Sequence, residues 1–169
     1  MTSDIYWIDA TIPVRLAIMA RPRSGDWLED EVAHWKRSGI ELVVSLLEAD
    51  EVEDLGLTLE ATLCEQNGIR YLSFPIPDRG VPDARTAMRF AIDLVGIGKA
   101  VAIHCRAGIG RSSIMAAAVL ICGNIAADTA LVAIERARGL PIPDTDAQRD
   151  WVLSLAEAQE AHHPVPDGR

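Results

Sequence analysis

Chemistry is concentrated in one decapeptide, His104-Cys105-Arg106-Ala107-Gly108-Ile109-Gly110-Arg111-Ser112-Ser113. A cysteine five residues before an arginine is a weak signal alone. It gains weight from His104 before it, Gly108 within it and Ser112 after it. Gly108 and Gly110 let successive backbone N–H groups of residues 106–111 (Arg106, Ala107, Gly108, Ile109, Gly110, Arg111) curl inward around an anion. A helix starting near Arg111 adds its positive dipole end. Such a cradle binds a phosphate dianion and stabilises a thiolate, so Cys105 is expected to be an ionised nucleophile near neutral pH. His104 is expected to order the loop, Arg111 to fork onto two phosphate oxygens, and Ser112 to donate to the Cys105 sulfur. Taken singly, each residue has a plainer reading: a buried cysteine, a core histidine, a solvated first-turn arginine. Their joint spacing favours the oxyanion loop.

The elements that must position this loop alternate between strand-like and helical patterns. Ile5 to Ile8, Arg15 to Met19, Ile40 to Leu47, Ile69 to Phe74 and Ala100 to Ile103 read as strands. Trp27 to Ser38 has Leu28, Val32 and Trp35 at helical spacing. Acidic Glu48 to Asp54 leads into a helix ending near Gln66, before Asn67-Gly68. Ala84, Met88, Ala91, Ile92 and Val95 mark the apolar face of another helix, and helices are expected over about Ser112 to Gly123, Ala127 to Arg138 and Asp146 to Ala161. Strands separated by helices predict an α/β fold with a central, largely parallel sheet flanked by helices, and the phosphate-binding loop between a strand and a helix.

The 169 residues, 49% hydrophobic, suit a single domain over residues 1–161, followed by a flexible C-terminal tail over 162–169. Sixteen basic against 25 acidic residues give a net charge of −9 without any basic run, which argues against nucleic acid or an anionic membrane surface as a partner. Arginine supplies all the basic residues except Lys36 and Lys99. Three scattered cysteines and the absence of a signal-like or spanning segment point to a cytoplasmic protein. Cys64 and Cys122 are read as core packing, with no support for a redox role.

From His104 to Ser113 the chain resembles the signature loop of the cysteine-dependent protein tyrosine phosphatase superfamily. Its compact size and late loop resemble the dual-specificity branch, in particular cyclin-dependent kinase-associated phosphatases. The similarity runs from roughly Ile5 to Trp151, and Phe74-Pro75-Ile76-Pro77-Asp78-Arg79-Gly80 is similar to the loop bearing the general acid in that superfamily. The resemblance implies Cys105 as nucleophile, Arg111 as phosphate clamp, Ser112 as helper of the second step, Asp78 as acid then base, and no metal or other cofactor. It implies a tyrosine or dual-specificity phosphatase acting through a cysteinyl phosphate on a phosphorylated protein or peptide. A phosphoinositide phosphatase, and a rhodanese-like or phosphate-binding protein using a similar loop, are the alternatives.

Several assignments stay open at this level. Pro77-Asp78-Arg79-Gly80 is also a β-turn signal, and Asp83 is the fallback acid, although its place after Pro82 suits a helix start. Gln148 either orients the attacking water or closes a capping box with Thr145. Glu48 either orients Arg111 or opens a helix. Arg21, Arg23, Arg79 and Arg106 either rim the pocket for substrate steering or are merely solubilising. The sequence leaves oligomeric state undetermined.

Overall fold

The computed structural model describes residues 1–161; the expected tail, 162–169, lies outside the described residues. Five strands form one sheet in the order β1-β2-β5-β3-β4: β1 is Tyr6–Trp7, β2 Arg15–Met19, β3 Leu42–Ser45, β4 Arg70–Ser73 and β5 Ala100–His104. Only β1 runs antiparallel to its neighbour; the other pairings are parallel. β5 lies between β2 and β3, with His104 level with Met19 on one side and Ser45 on the other. The site loop thus leaves the middle of the sheet at its carboxyl edge.

Strand alternation sends successive β5 side chains to opposite faces. Val101 and Ile103 join the larger core beneath α4 (Ala84–Ile97), α5 (Arg111–Cys122), α6 (Ala127–Arg138) and α7 (Asp146–Ala161). Ala102 joins the smaller core beneath α1 (Leu28–Arg37) and α3 (Glu60–Gln66), with Val32, Trp35 and Cys64. His104, two residues beyond Ala102, shares that smaller face and packs its ring against Trp35.

α5 is buried from Arg111 through Ile121. Its run Ala116-Ala117-Ala118 keeps the helix narrow enough for α4, α6 and α7 to close around it. A helix enclosed on every side anchors its own first turn, where Arg111 and Ser112 stand.

Two readings of the sequence need correction. The acidic segment and the helix after it are two helices, α2 (Ala49–Asp54) and α3, because the chain turns at Gly56 in a left-handed conformation and drops Leu57 into a small core with Leu28 and Leu47. In α4 the fully buried positions are Ala87, Ala91 and Leu94, while Ile92 is 59% exposed. Packing against α5 selects the i, i+4, i+7 line of Ala87, Ala91 and Leu94, which leaves Ile92 on the solvent side.

Candidate active site

The loop from Cys105 to Gly110 joins β5 to α5. Gly108 makes its tight path possible: its φ is +69°, and a Cβ there would stand 2.6 Å from the Met19 carbonyl carbon and 2.7 Å from the Ala20 nitrogen. Only glycine satisfies both constraints. On its outer side the loop is held by Arg138, at the end of α6, which donates through Nε to the Gly108 carbonyl at 2.9 Å and through Nη2 to the Ala107 carbonyl at 3.3 Å. The Arg138 guanidinium also lies over the Tyr6 ring, 4.2 Å from its centroid. In a trans peptide the N–H points opposite the C=O, so fixing the Ala107 carbonyl outward turns the Gly108 N–H inward. Sequence reasoning missed Arg138, which looks like an ordinary last-turn helix residue.

Cys105 is 3% exposed, with Sγ 3.4 Å from Ser112 Oγ. Burial alone would push the thiol up. Hydrogen bonds from the Ser112 hydroxyl and from the Ser112 and Gly108 N–H groups, with the Arg111 charge, outweigh it and hold the thiol below its ordinary range. His104, fully buried, sets Nδ1 3.2 Å from the Cys105 carbonyl oxygen and thereby ties the ring to the start of the loop.

Arg111 is 2% exposed, and its guanidinium is held on several sides. Glu51 takes a bidentate fork, at 2.7 Å from Nη1 and 2.9 Å from Nη2, and the Ile76 carbonyl accepts from Nη1 at 2.9 Å. Asp78 Oδ1 lies 3.1 Å from Nη2. The residue orienting Arg111 is therefore Glu51 and not Glu48. Glu48 precedes α2, and its N–H donates to the Glu51 carboxylate at 2.9 Å. The spacing Glu48-x-x-Glu51 is a helix-start pattern, and it was the available signal.

Asp78 stands at the tip of a turn closed by the Gly80 N–H donating to the Pro77 carbonyl at 2.8 Å, so the turn signal and the acid candidate describe the same residue. Arg79 adopts φ 59° there. Its side chain 56% exposed, Asp78 reaches from solvent onto the Arg111 fork, whereas Asp83 caps α4 by accepting from the Thr86 N–H and hydroxyl at 2.9 and 2.8 Å. Gln148 closes the capping box: its Oε1 accepts from Asp144 and Thr145 N–H, and its N–H donates to Thr145 Oγ1 at 3.1 Å. Its Nε2 donates to the Gly80 carbonyl at 3.2 Å, fastening the Asp78 turn. With these bonds made, Gln148 positions the turn and leaves no free carbonyl to orient a water.

Among the arginines expected at the rim, Arg106 lies 3.5 Å from Glu51, and the Arg21 N–H donates to the Arg106 carbonyl at 3.2 Å, placing both segments beside the loop. Arg23 is bound instead to buried Glu31 at 2.6 Å. Burial raises the Cys64 thiol to about 12 and the Cys122 thiol to about 11; Cys122 sits at the opposite end of α5 from the loop.

A cysteine whose thiol is held below its ordinary range beneath inward-turned amides, an oriented arginine and a carboxyl group on the approaching turn define the phosphatase class. Solved structures share this fold. The chain aligns with kinase associated phosphatase, carrying a serine substitution of its catalytic-site cysteine, at 21% identity and TM-score 0.84 over 96% of this chain and 99% of that one. Tk-PTP in its active form aligns at 27% identity and TM-score 0.70, over 90% and 96%. PTPMT1 in complex with PI(5)P aligns at 22% identity and TM-score 0.68, over 87% and 93%. Residues 17–124 match the family Tc-R-P, described as polymorphic toxin system, DSP-PTPase phosphatase; the chain belongs to this family and is a protein phosphatase of the dual-specificity and tyrosine type.

Proposed function

We propose that the chain hydrolyses phosphomonoesters through a cysteinyl phosphate formed on Cys105. The single observation that carries this reading is the buried Cys105 sulfur beside Ser112, with the Gly108 and Ser112 amides and the Arg111 charge favouring the thiolate. In the first step the thiolate attacks phosphorus in line, forming the S–P bond as the ester P–O bond breaks. Arg111 and the amides of residues 106–111 hold the equatorial oxygens, and Asp78 gives its proton to the departing oxygen. In the second step water attacks phosphorus and yields a proton to Asp78. The S–P bond breaks, inorganic phosphate leaves, and the Ser112 hydroxyl donates to the returning thiolate.

The substrate class we favour is a phosphorylated protein or peptide. Ala107 and Ile109 leave the loop without a lysine for a second inositol phosphate, and Arg106 and Arg21 offer charge to an acidic peptide at the rim in a chain of net charge −9. The likeness to PTPMT1 bears on fold alone. A cytoplasmic, reducing setting would keep Cys105 a thiol, and one domain over 1–161 would carry the whole activity. The test is capture with Asp78→Ala, offered a panel of phosphotyrosine, phosphoserine and phosphothreonine peptides and phosphoinositide vesicles. Retention of phosphopeptides supports the reading; retention of the vesicles alone overturns the substrate class.

A further inference from the structure

Glu60 opens α3 with its carboxylate wholly buried, and no step of the reaction above uses it. Oε1 lies 2.7 Å from His104 Nε2, while Oε2 has no hydrogen-bond partner among the described residues. The His104 ring is therefore what holds this carboxylate in place. Across the ring, Nδ1 faces the Cys105 carbonyl oxygen at 3.2 Å, and Trp35 stacks beside it with ring centroids 6.4 Å apart. A carbonyl oxygen only accepts, so Nδ1 carries a hydrogen, and one further hydrogen is shared across the 2.7 Å contact between Nε2 and Oε1. With both hydrogens the ring is an imidazolium.

We propose that Glu60 is a positioning residue for the dephosphorylation, acting through His104: its buried carboxylate keeps the ring doubly protonated and fixed on the Cys105 carbonyl, so that a positive charge stands behind the nucleophile. The inference rests on the reading of Cys105 as nucleophile. Buried charges then alternate in sign along one line of contacts: Glu60, His104, Cys105, Arg111, Glu51. The thiolate has a cation to either side. Burial alone would drive the proton off His104, but the Glu60 charge and hydrogen bond, followed by the Cys105 contacts, hold the ring above its ordinary range.

The other groups around the pair contribute no charge of their own. Tyr71 on β4 and Cys64 on α3 are each raised to about 12, first by burial and then by the Glu60 charge, so both stay protonated; Trp35 on α1 and Ser45 on β3 do not titrate. Glu60 is the only carboxylate bonded to the ring among the described residues.

Glu60→Gln preserves shape and can donate to Nε2, leaving a neutral ring. Iodoacetamide alkylation of Cys105 across pH, with the acid limb of kcat/KM for p-nitrophenyl phosphate, reads the consequence. The midpoint should rise by about one pH unit, about tenfold less thiolate on the acid side, with KM little changed. In a His104→Asn background the same substitution should add no further shift. A wild-type midpoint in Glu60→Gln, or an undiminished shift in the His104→Asn background, overturns the proposal. If Glu60→Gln does not fold, the ¹⁵N spectrum of the wild-type protein decides: two protonated ring nitrogens on His104 at pH 7 are expected, and one bare nitrogen overturns it. The alkylation titration and the ¹⁵N spectrum require no turnover, so retained activity in Cys105→Ser would sink the nucleophile assignment separately.

Discussion

Arg138 donates to the Gly108 carbonyl oxygen from 2.9 Å, so the last turn of α6 sets the direction of a peptide in the phosphate-binding loop. The relationship links an element with no chemistry of its own to the donors that face the thiolate. Removing the guanidinium should let the Ala107 and Gly108 carbonyls rotate, and the N–H groups with them. Arg138→Ala is expected to weaken vanadate inhibition about tenfold and to raise the pH midpoint of Cys105 alkylation; Arg138→Lys, lacking the planar fork, should recover little of either.

Glu51 gives a prediction in both activity and pH. Hydrogen bonding to Arg111 holds the Glu51 carboxyl below its ordinary range; burial opposes this, while the Glu48 N–H and the Arg111 and Arg106 charges reinforce it. The stability this confers is complete above the ordinary glutamate value, about 4.3, and is lost as pH falls through the lowered folded-state value. Glu51→Gln takes away the buried anion of Arg111 and leaves only the exposed Asp78 beside it, a loss of about 3–5 kcal/mol in urea unfolding at pH 7. The gap between wild type and variant should narrow as pH drops below about 4. A gap independent of pH would show that the ion pair is not its source.

Asp78 reaches Arg111 from an exposed turn, so its removal should affect chemistry far more than folding. Asp78→Asn is expected to slow phosphotyrosine peptides by about 10²–10⁴ and aryl phosphates with acidic leaving groups much less. Its unfolding free energy should change by no more than about 1 kcal/mol, as befits an exposed ion pair. Equal slowing across leaving groups would remove Asp78 as the acid.

Gly108→Ala combines a left-handed φ with a Cβ pressed on the Met19 and Ala20 backbone. A loss of about 1–3 kcal/mol is expected by thermal or urea unfolding, along with weaker phosphate binding. The same substitution at Gly98, which ends α4 with φ +63° and has nothing within 4 Å of the added carbon, carries the backbone strain without the collision and should cost less.

The parts of this arrangement legible in the sequence were those encoded locally. β2, α6 and α7 have the bounds their patterns predicted, and the loop from His104 to Ser112 carries its chemistry in consecutive residues. Strand-end logic names Glu48, the first acid after β3, whereas the helix turn brings Glu51 round to Arg111. Arg138 and Glu60 were illegible for a stronger reason. One meets the loop from 30 residues away and the other meets His104 from 44, and nothing in the local pattern of α6 or α3 marks so distant a partner. Gln148 shows the intermediate case: its capping box was readable, but its bond to Gly80 depends on where α7 docks.

The most direct measurement is to find where phosphate resides during turnover. In the proposed mechanism the Ser112 hydroxyl eases departure of the sulfur, so rapid acid quench of Ser112→Ala mixed with p-nitrophenyl phosphate, followed by peptide mass mapping, should place a phosphate on Cys105 in step with a burst of p-nitrophenol. Continued turnover with an unmodified Cys105 peptide, or phosphate on any other residue, would contradict the account.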